Sequence, residues 1–163
     1  MLPGITFIEL LDWIGHETNA YARWFAARPD SVWAIPVGTE RTASVRDLLF
    51  HAYVVDLRYG QRLHQMPVSS YATEAVTDTM ALFDLARRGQ DLLRVAVDGR
   101  IDLSQIIEFQ TLSAGTLRAS GRKILAHTIT HHIRHLAQIS TALRQHGHPT
   151  DWMHDLLMSD ALE

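Results

Sequence analysis

The sequence predicts an all-α fold: a four-helix bundle with a long crossover, hairpin-like excursion before the last helix. Three observations carry that expectation. Four long segments place apolar residues every three or four positions, the period of a helix buried along one side. Capping residues stand at their starts, and proline or glycine follows their ends. Only one stretch, just before the last helix, alternates in the manner of strands. With 163 residues, 47% hydrophobic and 20% charged, the chain is sized for one domain, residues 1–163, with a sizeable core.

The first helix is expected to start at Thr6, because Thr6-Phe7-Ile8-Glu9 is a capping-box pattern. Phe7, Leu11, Ile14, Thr18, Tyr21 and Phe25 then form one face, and Pro29 ends it. Asp30 to Arg41 holds turn residues and Pro36, and reads as a connection. The second helix runs from Ser44, a good N-cap, to about Gln65, with Asp47 complementing the helix dipole and Pro67 closing it. The third spans about Thr77 to Val97, and Gly89 weakens it by about 1 kcal/mol relative to alanine. Asp98-Gly99 marks a turn. IIEFQTLSAGTLRAS then reads as an extended, hairpin-like excursion around Ala114-Gly115. The fourth helix runs from Ser120 to about His146, with Gly147 as the residue just past its end and Pro149 beyond. The tail, DWMHDLLMSDALE, has room for one short helix.

Composition excludes several classes of function. A net charge of −3 leaves no basic footprint for nucleic acid. No apolar run of about 18 residues exists, so no membrane span is expected. MLPGITFIELLDW has neither a charged leader region nor a small-residue cleavage site, and a cytoplasmic protein is the expectation. Cysteine is absent, so there is no thiolate nucleophile and no thiolate metal site. A metal must therefore bind imidazole, carboxylate or water.

Histidine is where the chemistry concentrates. Four of the ten histidines fall within the nine residues His127–His135. His127, His131 and His135 are spaced four apart and form one ridge on a mostly apolar face, whereas His132 and Arg134 point elsewhere. Buried imidazoles need partners for both ring nitrogens, and a divalent cation meets part of that need. Two of these histidines can chelate one ion, and a third ligand must come from another helix. His51, between Leu48 and Val55 on the second helix, is the candidate. A His51, His131 and His135 set leaves coordination positions open, as catalytic sites do. His127, one turn earlier, reads as a pocket wall or a hydrogen-bond partner behind the ligands. Gln138 reads as a partner for a bound group or an orienter of its neighbour, with a helix-to-helix hydrogen bond as the plain alternative. His16, His64, His146, His148 and His154 read as surface residues. Arg58 is expected to pair with Asp47 or another acid rather than with a carboxylate substrate. Trp13, Trp24 and Trp33 read as core or interface aromatics.

These residues resemble the DinB/YfiT-like superfamily of metalloenzymes. THHIRHLAQISTALRQHG is similar to its NHxxHHRGQxxxxLRxxG signature, with Thr130 at the asparagine, His131 and His135 at two ligands and Gln138 at the glutamine. Arg134 and Leu136-Ala137 depart from the pattern, which bears on the pocket lining rather than on the coordinating positions. The resemblance implies a bundle, commonly dimeric, with a divalent metal (zinc, nickel or manganese) on three histidines. It also implies a small-molecule substrate and thiol-dependent transfer with a low-molecular-weight thiol; metal-activated hydrolysis is the other chemistry such a site allows. Two further readings stay open from the residues: a metal-binding module without turnover, and a structural bundle whose imidazoles line a core or a dimer interface.

Overall fold

The computed structural model describes residues 4–38, 42–74, 76, 78–111 and 114–159. Four long helices dominate it: α1 Phe7–Ala26, α2 Val45–Leu63, α3 Thr79–Val97 and α4 Gly121–Gln145. The excursion before α4 is a true antiparallel hairpin, β1 Ile106–Gln110 and β2 Thr116–Ser120, in register from Ile106 opposite Ser120 to Gln110 opposite Thr116. The strict all-α expectation is corrected accordingly. Alternation in β1 turns Ile107 and Phe109 inward, and both pack on the core beneath α4. Arg41, Thr77, Leu112, Ser113 and residues 160–163, which belong to the expected elements, lie outside the described residues.

Each helix begins where its side chains satisfy the first backbone N–H groups. Thr6 and Glu9 form the capping box of α1, and Ser44 and Asp47 form that of α2. Asp78 caps α3 and Ser120 caps α4. The end of α4 follows the expected pattern: Gly147 has φ 80°, and the His148 N–H reaches the Leu143 carbonyl at 2.9 Å. The connection after α1 is a 3₁₀ turn, Asp30–Ala34, which buries Val32 and Trp33. The tail contributes one 3₁₀ turn, Leu156–Met158. None of the described helices is long and apolar enough to cross a membrane.

Helix α2 packs against α3 and α4, and α1 packs against the same two helices. One core region gathers Tyr21, Phe25, Trp33, Leu49, Tyr53, Leu82 and Ile139. The other gathers Leu11, Ile14, Leu93, Leu125 and Ile129. Trp33 stacks on Phe25 with ring centres 3.9 Å apart. Gly89, a weak helix former, stands where α3 meets the α2 backbone: a Cβ there would lie 2.7 Å from the Leu57 amide nitrogen. Close approach of the two backbones requires the missing side chain. Gly89→Ala is therefore expected to destabilise the fold by about 1–3 kcal/mol despite alanine's better helix propensity. Equilibrium urea unfolding checks this, and an unchanged or raised midpoint would contradict it.

Candidate metal centre

The antiparallel run of α2 against α4 brings three imidazoles to one point. His51 comes from the middle of α2, and His131 and His135 come from successive turns of α4. The His131 Nε2 lies 3.2 Å from the His51 Nε2 and 3.0 Å from the His135 Nε2. The ring centres of His51 stand 5.1 Å from each of the other two, and those of His131 and His135 stand 4.3 Å apart. Nitrogens bound at 2.0–2.1 Å to one ion sit about 3.3 Å apart at the tetrahedral angle and about 2.9 Å apart at a right angle. Both observed separations fall between these limits. Among the described residues no other histidine or carboxylate joins the three.

The far nitrogens show how the rings are aimed. The His135 Nδ1 donates to the Gln138 Oε1 at 2.6 Å, which leaves the Nε2 lone pair for the shared point. Gln138 thus orients its neighbour within α4. Behind His51 stands Tyr71, its hydroxyl 3.3 Å from the His51 Nδ1. The His131 Nδ1 is buried without a hydrogen-bond partner, so this ring is aimed by packing. Tyr71 was not foreseen. It sits in the loop after α2, and that loop is pinned to α2 by Gln61, which bonds the Ser69 hydroxyl at 2.8 Å and the Ser69 amide at 2.9 Å.

His127 is exposed, at the rim. Its ring lies 5.6 Å from His131 and edge-on to Tyr59 at 5.5 Å. A wall position fits it, and it stays outside the three-histidine group. His132 was expected to point away from the ridge. It does so, but into a second buried site: its Nδ1 lies 2.5 Å from the Asp56 Oδ2, with both residues essentially unexposed. Asp56 stands in an apolar run, Ala52 to Leu57, and that context was the available signal that it needed a buried partner. His154 is corrected as well. Rather than a surface residue it is half-buried, holding the buried Glu17 at 2.5 Å and the Thr150 hydroxyl at 2.8 Å. His64 is partly buried too, bonded to the Leu92 carbonyl at 2.8 Å. Arg58 makes no ion pair with Asp47, which is engaged by Ser44 at 2.7 Å in its own helix cap. Arg58 donates instead to the Ser69 carbonyl and lies over the Tyr71 ring. A cleft of about 340 Å³, lined by His16, Arg23, Trp24, Arg28 and Trp152 among others, involves none of the three histidines.

Burial favours neutral rings at His131 and His135. Burial, then the neighbouring His135 and His51, pushes His131 down to about 2. Burial lowers His135, opposed by the Gln138 bond, and burial and Arg134 lower His127. Neutral imidazole is the form that binds a cation.

A family model described as the DinB family matches residues 3–161, nearly the whole chain, and the protein belongs to that family. No curated protein matches it. The family is a metal-binding one, in keeping with three histidines placed close enough to hold an ion.

The depressed His131 value sets a pH dependence for the metal-free protein. Below 6.5 the unfolded chain takes up a proton that the folded chain refuses until about 2, so stability is full above 6.5 and falls as pH drops through that window. Thermal melts of chelator-treated protein at pH 7, 6 and 5 should show falling midpoints, with a shallower slope in His131→Gln; equal slopes would count against this origin. Gln138→Ala should keep the fold and weaken zinc binding roughly 10–100-fold, measured by chelator competition. Unchanged affinity would remove Gln138 from the site.

Proposed function

We propose that this protein is a mononuclear metal-dependent enzyme, a DinB-type four-helix bundle that holds one divalent cation on His51, His131 and His135. Its substrate is a small organic molecule, and its reaction is thiol-dependent transfer or hydrolysis. The observation that carries this reading is the convergence of three Nε2 atoms, at 3.0 and 3.2 Å from the central one, out of two different helices. Bound there, a divalent cation supplies Lewis acidity that lets a water or a thiol ionise near neutral pH.

The chain's own residues do the rest. Three neutral donors leave coordination positions for exogenous molecules, which favours turnover over a closed structural site. Gln138 keeps the His135 proton on Nδ1. The Tyr71 hydroxyl supports His51 from behind, beside its Nδ1, while the Nε2 faces the shared point. Tyr59 packs edge-on against both His127 and Phe109, and His127 in turn neighbours His131. Zinc, nickel and manganese all suit such a site, since imidazole binds each of them. A homodimer and a low-molecular-weight thiol partner belong to this reading through the family.

Elemental analysis of protein purified without a histidine tag tests it. About one equivalent of a transition metal is expected, and His51→Ala, His131→Ala and His135→Ala should each bring it close to zero while the helical circular dichroism persists. Less than about a tenth of an equivalent in the folded wild type would remove the metal and the enzyme together.

A further inference from the structure

We infer that Arg58 and Arg62 form an anion subsite beside the three histidines, one that takes the carboxylate of an acidic small-molecule substrate or co-substrate. The inference rests on the metal reading for what lies next to the subsite, and it names the chemical class which that reading leaves open.

Position comes first. On a helix of 100° per residue, Arg58 and Arg62 fall about 20° to either side of His51, two and three turns further along α2. Side chains lean towards the N-terminus of their helix, so both long arms reach back towards His51. The contacts agree with that geometry. The Arg58 guanidinium carbon lies 5.3 Å from the Tyr71 ring centre, and Tyr71 touches His51. The Arg62 guanidinium carbon lies 5.0 Å from both Tyr59 and Phe109. Tyr59 meets His127, and His127 meets His131. Two aromatic paths therefore join the guanidinium groups to the imidazoles.

Charge is the second argument. Neither arginine has a carboxylate partner among the described residues, and the acids packed around this region are already engaged. Asp47 caps α2, Asp56 holds His132, Glu74 binds Arg88 at 3.0 Å, and Glu108 pairs with Arg118 at 3.6 Å. Each guanidinium makes one hydrogen bond to a backbone carbonyl, Arg58 to Ser69 and Arg62 to Gln110, and carries five N–H donors. Burial and the neighbouring Arg58 both work against the charge of Arg62. Aromatic faces offset part of that cost. A planar carboxylate offsets more, because its two oxygens match the guanidinium fork. Both arginines remain partly exposed, so an anion from solvent can reach them.

Succinate is the probe for the subsite alone, since it offers carboxylates and no thiol. Titrated calorimetrically into metal-free protein at low salt, it should bind, and Arg62→Met and Arg58→Met should each weaken it about tenfold or more. Arg62→Lys should fall between. On zinc-loaded protein, mercaptosuccinate should bind at least about tenfold more tightly than 2-mercaptoethanol, and Arg62→Met should erase the difference. Absent succinate binding, or binding equal in wild type and Arg62→Met, overturns the inference. Should Arg58→Met fail to fold for want of its Ser69 and Tyr71 contacts, Arg62→Met decides alone. A protein that takes no zinc yet keeps arginine-dependent succinate binding loses the metal reading and keeps the subsite; one that takes zinc but no succinate does the reverse.

Discussion

Three imidazole nitrogens aimed at one point form an arrangement that a neutral protein interior resists. Lone pairs repel, protons compete for the same small space, and burial makes the charged form costly. Much else in this molecule bears on that constraint. Gln138 aims one ring and Tyr71 stands behind another, while His131 relies on packing alone. A cation turns the same geometry from repulsive to attractive, because each lone pair then has a common acceptor.

The register of α2 against α4 decides whether the point exists at all. Those helices are tied a second time, one residue along. His132 follows His131 in sequence but projects about 100° away around the axis, where it meets Asp56. A slip or rotation of α4 would break the buried His132–Asp56 contact and scatter the three rings together. Buried ionisable pairs are weak sources of stability but well suited to specifying a register. The tail is held in a comparable way: Glu17, buried on α1, accepts from the Trp152 indole at 3.0 Å and from His154.

Charge is unevenly distributed. The chain carries a net −3, yet Arg134 acts on His131 and His135, and Arg58 and Arg62 lie over the rings of Tyr71 and Tyr59. Asp56 offsets part of the influence of Arg134 on His135. Burial, more than charge, keeps His131 and His135 neutral.

Local rules reach a long way in this sequence. Apolar period, capping residues and the Gly147 stop placed four helices to within a few residues, because those signals act between neighbours in the chain. The convergence of His51, His131 and His135 was legible for the same reason: two of the rings share one helical ridge, and the third stood on a predicted apolar face. What the sequence could not determine were contacts made by groups far apart along the chain. Tyr71 reaches His51 from a loop whose path depends on Gln61. His132 finds Asp56, and His154 finds Glu17, across helix boundaries. Arg58 turns to an aromatic ring and a backbone carbonyl rather than to an acid. Each outcome depends on which buried polar group can be satisfied at a given place, and only the packed tertiary structure, with its helix register and loop paths, decides that.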